Sequence, residues 1–410
     1  MTIFRFLWLL ITVATWILAL SLSLHTSEAP AVFHRYSPSY FGFLIVVFLA
    51  TMGVSAANSA HILERIYARR WSIILCIGST VFALGILEVF VRFADPLGVS
   101  YYQESARYHL DKIADPNLVF RHRSSWRTVY QGVDVRFNEL GLRGEPIPPK
   151  QESEYRILVL GDSVTFGFGV AESDTFTSRL ERALRTTRDR SVRVINSGVG
   201  GYNTVQEYAY LKHKGLSLSP DLVILVYVTN DIDVNEGPFD PWSQISLSGK
   251  SPPQISLSLL GKSWLYRLVA HAYRYGLFGT MISDRYESTY ASKGLKDSMA
   301  ALRGLTDTVV DRQIPLMVFF FRWEPNTFNT RLLEAVRSAV APAPVEDMAP
   351  WFSGTDLRRY TNSQIDSHPN AEGHRIIAEH IANIVLARLG TSTAFARDTS
   401  IRDTLPVTGQ

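Results

Sequence analysis

Apolar and polar positions divide this chain into two unlike parts. Toward the N-terminus, three nearly unbroken apolar runs, Phe6–Leu24, Tyr40–Ala57 and Trp71–Phe90, are separated by short polar connections. About 20 apolar residues in a helix cross the hydrocarbon core of a bilayer. The pattern therefore predicts three transmembrane helices (about 6–24, 40–57 and 71–90) within a membrane region over residues 1–93. The third run carries Glu88 near its end and Arg92 one helical turn later, a pair able to neutralise itself at the interface. Phe6–Leu24 also fits a cleaved signal peptide, with Arg5 as its charged start and small residues near Ala29.

Residues 94–153 show no sustained period. Aromatic and Arg residues alternate with turn signals at Asp115-Pro116, Asn138, Gly141 and Gly144, which predicts an irregular, β-rich lead-in. From residue 154 to 390, short apolar runs alternate with stretches of helical spacing. Strands are expected at Arg156–Leu160, Val192–Asn196, Asp221–Val228 and Pro315–Phe321. Their near-continuous apolarity suits a parallel sheet buried on both faces. Helices are expected at about 175–186 and 204–214, and a last one at about 370–389, with Gly390 as its stop. Such alternation predicts an α/β fold, a three-layer α/β/α sandwich with a mainly parallel sheet. Between about 235 and 290 the alternation breaks at Pro238, Pro241, Pro252 and Pro253, followed by an aromatic stretch from Trp264, as in a cap insertion. The polar tail 391–410 is expected to be disordered.

Composition sharpens this picture in three places. A net charge of +3 over 410 residues is too small for a nucleic-acid surface. The single cysteine, Cys76, lies inside an apolar run, so no internal disulfide is possible and a core or lipid-facing thiol is expected. Arg65, Arg69 and Arg70 crowd the connection after the second run, whereas Leu24–Ser39 carries only Arg35. By the bias of basic loops toward the cytoplasm, the chain after about Phe93 is delivered outside, as part of a multi-pass protein of the cytoplasmic (inner) membrane.

The chemistry concentrates in four segments. Arg156–Leu160 runs directly into Gly161-Asp162-Ser163, which puts a hydroxyl at the C-terminal end of a buried strand, where open α/β sheets gather their sites. Asn196-Ser197-Gly198-Val199-Gly200-Gly201 offers small-residue backbone donors, Val228-Thr229-Asn230-Asp231 a side-chain amide, and Asp366-Ser367-His368-Pro369-Asn370 a base. A serine needs a base to become a nucleophile, and His is the side chain suited to that task near neutrality. Asp162 reads as a residue holding the serine turn, Asp231 and Asp233 as solvated or helix-capping residues, and His374 as a packing or capping residue. No His/Cys/Asp cluster has zinc spacing and no Gly-rich phosphate loop precedes a Lys-Ser/Thr, so neither a metal nor another cofactor is expected.

In that order, the four segments resemble the blocks of the SGNH (GDSL-type) hydrolases over roughly Arg156 to Leu389, as in membrane-anchored bacterial-type members. The run Asn138–Gly144 also resembles a stretch that often precedes the catalytic block in membrane-linked relatives. The resemblance implies a flavodoxin-like sandwich, Ser163 as nucleophile, His368 as base, and an oxyanion hole from the Ser163 and Gly201 backbones with the Asn230 side chain. The family usually places its acidic residue three positions before the histidine; here Ile365 stands there and Asp366 is two before, leaving open whether Asp366 completes the triad. The implied activity is that of a serine esterase forming an acyl-serine intermediate outside the cytoplasmic membrane, on a glycan or lipid ester, with O-deacetylation of a glycan preferred. Two alternatives stand beside it: an O-acyltransferase onto envelope polysaccharide, and a non-catalytic glycan-binding or assembly component. The expected partners are the acyl-ester substrate and the lipid bilayer, with no nucleic acid.

Overall fold

The chain divides into two compact units, Met1–Val89 and Phe90–Gln410. The computed structural model describes residues 2–24, 38–57, 60–95, 100–186, 191–234, 263–269, 293–352, 354, 356–363 and 366–391. The first unit holds α1 (Thr2–Ser23), α2 (Pro38–Ala56), α3 (Ala60–Ala68) and most of α4 (Arg70–Ala94). Trp16 of α1 donates its indole N–H to Ser55 Oγ of α2 at 2.9 Å. Two stretches, Ile3–Ser23 and Arg70–Ala94, are long and apolar enough to cross a membrane, with mean hydropathies of 2.1 and 2.3; the apolar part of α2, Tyr40–Ala56, is shorter. Leu75, Phe82 and Phe90 of α4 are all more than half exposed. Cys76 is exposed on the same helix.

The second unit opens on α5 (Ser100–Leu110), a helix where the sequence suggested irregular, β-rich structure. Two antiparallel hairpins follow, β1 (Ile113–Asp115) with β2 (Val119–Arg121) and β3 (Trp126–Tyr130) with β4 (Val133–Phe137). Next come β5 (Glu154–Gly161), α6 (Ser163–Phe166), α7 (Phe176–Thr186), β6 (Ser191–Asn196), α8 (Thr204–His213), β7 (Leu222–Val228), α9 (Lys293–Val310), β8 (Leu316–Phe321), α10 (Thr327–Val340), β9 (Val345–Asp347) and α11 (Ala371–Thr391). The last helix runs through Gly390 and ends one residue beyond it. Of the expected cap over 235–290 only residues 263–269 are described, and the tail beyond residue 391 lies outside the described residues.

The sheet is parallel throughout, in the order β6-β5-β7-β8-β9. Side chains alternate across it. Leu158, Leu160, Val223 and Leu225 face a core shared with α8, α9 and α10, whereas Ile157, Val159, Ile224 and Val226 face one shared with α7 and α11. Helices on both faces make the three-layer α/β/α sandwich. Numbered within the sheet, the strands run 2-1-3-4-5, the flavodoxin-like order. The chain reverses its winding direction around the first strand, β5, so a crevice opens at the C-terminal ends of β5 and β7. A third core of Tyr101, Tyr108, Tyr130, Phe137, Phe166 and Phe168 joins α5 and the second hairpin to the loop after β5.

Candidate active site

Gly161 ends β5 in a conformation that only glycine fits: its φ is +154°, and a Cβ there would lie 2.1 Å from Thr165 Oγ1 and 3.2 Å from the Val226 carbonyl. The chain can therefore turn at once into α6. Asp162 caps that turn, with Oδ1 accepting from Val164 N–H at 2.8 Å. Ser163 thus sits at the first position of α6, over the crevice.

The loop before α11 brings His368 to it across 205 residues, with Nε2 2.8 Å from Ser163 Oγ. His368 Nδ1 lies 2.5 Å from Asp366 Oδ1. Because a carboxylate only accepts, Nδ1 carries the proton and Nε2 is left to accept from the serine. Asp366 is 1 % exposed; its Oδ2 accepts from Asn362 Nδ2 at 3.1 Å and from Gln131 Nε2 at 3.4 Å. Rings of Phe168 and Tyr101 flank the imidazole, with centroids 5.4 and 6.1 Å away. The loop itself is anchored where Trp323 donates to the Ser367 carbonyl and Asn370 Oδ1 accepts from the N–H groups of Glu372 and Gly373, opening α11.

Asn230 follows β7 and Gly201 follows β6, and both line the same cavity as Ser163 and His368. Asn230 Nδ2 donates to Asp162 Oδ2 at 3.0 Å, which fixes the amide plane beside the serine. Asp162 Oδ2 also stands 3.2 Å from Ser163 Oγ. The hydroxyl has one proton, and the shorter, 2.8 Å contact to His368 is the better acceptor site. Gly201 adopts a φ of +80°.

The cavity, about 430 Å³, is completed by residues the sequence reading did not single out: Tyr101, Ser105, Tyr108 and His109 of α5, and Arg322, Trp323, Glu324 and Asn329 beyond β8. Arg322 is held by Asp347, Asn329 and Thr330. On α5 and just past it the signal was a stripe: Tyr101, Ser105, Tyr108 and Lys112 recur at i, i+4, i+7 and i+11, and all four are buried.

Two other readings are settled by burial. Asp231 is buried rather than solvated, at 1 % exposed, and it caps the turn after β7, with Oδ2 accepting from Val228 N–H at 3.0 Å. Burial, then repulsion from Glu207 and Asp162, holds its carboxyl well above the usual carboxylate range. Burial with repulsion from Asp162 does the same for Glu207, also 1 % exposed. His374 is buried, accepts from Phe176 N–H at 3.1 Å and stacks on the Phe176 ring. Burial pushes its pKa down to about 3, so it stays neutral. Among the described residues, no three His, Cys, Asp or Glu side chains gather as a metal would require.

Solved structures similar to the chain include a lipase/acylhydrolase from Enterococcus faecalis, at 14% identity and TM-score 0.36 over 57% of this chain and 96% of that one. A catalytic mutant of an acetylxylan esterase from Geobacillus stearothermophilus matches at 16% identity and TM-score 0.37, over 56% and 93%. A two-domain esterase active on acetylated mannans, co-crystallized with mannopentaose, matches at 18% identity and TM-score 0.38, over 58% and 50%. No curated protein matches. The family of GDSL-like lipases and acylhydrolases matches residues 159–376, from within β5 to within α11. That span is more than half of the chain, and by it the chain belongs to the GDSL-like lipase/acylhydrolase family, the SGNH serine hydrolases of ester bonds.

Proposed function

We propose that this protein is a membrane-anchored esterase that removes short acyl groups, acetyl foremost, from a glycan outside the cytoplasmic membrane. The observation that carries the catalytic part is the continuous line from Asp366 through His368 to Ser163, with contacts of 2.5 and 2.8 Å, opening into the cavity. His368 takes the Ser163 proton as Oγ attacks the acyl carbonyl. The resulting oxyanion is held by the Ser163 and Gly201 backbone N–H groups and by Asn230 Nδ2. Asp366 stabilises the imidazolium. His368 returns the proton to the departing sugar oxygen, leaving an acyl-serine. It then deprotonates a water that attacks the ester, and Ser163 regains its proton as the acid leaves.

The cavity wall supports a sugar ester. Tyr101 and Trp323 offer flat apolar faces, while Ser105 and Glu324 offer hydrogen-bonding groups, the mixture a pyranose presents in return. Anchoring rests on the exposed apolar helices α1, α2 and α4, and the outward placement on Arg65 in α3, Arg69 after it and Arg70 at the start of α4. The test uses the full chain in detergent with an acetylated oligosaccharide and an activated acetyl ester. Wild type should release acetate from both and be labelled once by a fluorophosphonate; Ser163→Ala should do neither. Undiminished acetate release by Ser163→Ala would overturn the reading.

A further inference from the structure

We infer that Lys112 and Tyr108, which precede the family's catalytic span, are positioning residues that aim the Gly201 N–H into the oxyanion hole. The inference rests on the catalytic reading above and deepens it.

Lys112 Nζ donates to the Gly200 carbonyl. That oxygen and the Gly201 N–H belong to one peptide unit, which is planar and trans, so the two point in opposite directions. Lys112 is 4 % exposed and is not among the cavity-lining residues, whereas Gly201 is. The Lys112 amine, donating to the carbonyl from behind, therefore turns the N–H toward the cavity. It also polarises the peptide and makes the N–H a stronger donor.

The adjoining peptide is fixed too. Gly200 N–H donates to Tyr108 Oη at 2.7 Å, and Tyr108 Oη lies 2.6 Å from His122 Nε2. His122 Nδ1 lies 3.3 Å from the Gly141 carbonyl, which assigns the proton to Nδ1 and makes Nε2 the acceptor of the tyrosine proton. The chain of bonds thus runs from the turn at Asn138–Gly144 through His122 and Tyr108 to the Gly200 amide. A side chain at Gly200 would break it, because its Cβ would lie 2.7 Å from the Tyr108 ring. Lys112 is held in place by His109 Nδ1 at 3.0 Å and by the rings of Tyr108 and Phe120, whose centroids lie 4.6 and 4.4 Å from Nζ.

The experiment compares Lys112→Met and Tyr108→Phe with wild type as full-length protein in detergent, with active sites counted by fluorophosphonate at the end point. Losing an oxyanion donor outright costs about 100- to 1000-fold in rate, and a misaimed donor should cost about 10- to 100-fold in kcat per counted site. KM for the activated acetyl ester should stay within about twofold, while inhibition by an aryl trifluoromethyl ketone, which forms an oxyanion on the serine, weakens in step with kcat. If both variants keep wild-type kcat per counted site, or lose activity only through fewer sites or a raised KM, the inference is overturned. Lys112→Met keeps the length and apolar stem; should it not fold, Tyr108→Phe decides alone. Ser163→Ala separates the two readings. If it is active, the catalytic reading fails; if it is inactive while Lys112→Met and Tyr108→Phe are unimpaired, only the positioning fails.

Discussion

Asp366 reaches His368 across a single intervening residue. One oxygen, Oδ1, stands 2.5 Å from the ring Nδ1 and 3.1 Å from the His368 backbone N–H. The carboxylate folds back over its own chain, so that backbone and imidazole share one acceptor. That local turn is how a spacing of two lets Asp366 meet the imidazole where the family commonly has three. The remaining oxygen faces Asn362 and Gln131, which come from the 360s loop and from the hairpin turn between β3 and β4.

Asp366→Asn tests whether this contact supports catalysis. An amide keeps the volume but offers less to the imidazolium, and its NH2 would face the donors of Asn362 and Gln131. We expect kcat to fall by about 1000- to 10,000-fold at neutral pH, as when a triad acid is replaced. Labelling by fluorophosphonate should slow in parallel. A variant retaining a tenth or more of wild-type kcat would show that the acid is dispensable.

Asn230→Ala removes an amide that both lines the cavity and bonds Asp162 Oδ2 at 3.0 Å. The loss of an oxyanion donor predicts about a 100- to 1000-fold fall in kcat with little change in KM. Asn230→Asp should be worse still, since it sets a carboxylate against Asp162. Steady-state kinetics on the activated acetyl ester would show both; equal activity of the two variants would contradict the electrostatic part.

The sheet and the candidate site residues on its strand ends were legible because each rested on local pattern. Ile157–Leu160 and Leu222–Val228 are apolar at every position, as burial on both faces demands. Ser163 and Asn230 directly follow such strands, and Gly201 follows the short loop after β6. The helix α5 was not legible by hydropathy, because its buried stripe mixes Tyr, Ser and His with few aliphatic residues. What recruits those polar groups inward is the Gly200 peptide and the His122 ring, partners far along the chain that no local window contains. Helix α9 does carry Met299, Leu302, Leu305 and Val309 at helical spacing. Its start was obscured by the proline-broken stretch before it. The burial of Asp231 was hidden for a similar reason: its neighbour Glu207 comes from α8.

The Glu207–Asp231 pair should give stability a distinct pH dependence. Burial and repulsion raise both carboxyl pKa values in the fold. Above the ordinary carboxylate range the folded chain then holds protons that the unfolded chain has released, so stability falls as pH rises. Each proton so held contributes a slope of up to about 1.4 kcal/mol per pH unit. Glu207→Gln removes one titrating group without changing shape. Its Tm should be near wild type at pH 5 and exceed it increasingly toward pH 8. A gap that shrinks with rising pH would refute the assignment of neutral carboxyls.

Arg143 provides the last prediction, and it concerns the loop behind Ser163. Its guanidinium donates from Nη1 to the carbonyls of Phe166 and Gly167, at 2.9 and 2.6 Å, and from Nη2 to that of Val170. The group lies 5.0 Å from the Phe166 ring centroid and is 5 % exposed. Burial lowers its pKa to about 10, which still leaves it charged at neutral pH. This loop carries Phe168, which packs against His368. A lysine keeps the charge but not the planar fork, so Arg143→Lys leaves at least one buried carbonyl without a donor. The cost should be about 1–3 kcal/mol for each such group, read as a lower midpoint in urea. Slackening of Phe168 should also lower kcat, because His368 loses one wall. Arg143→Lys with an unchanged midpoint would show that the three carbonyls find other donors and that the Asn138–Gly144 turn does not brace the loop after Ser163.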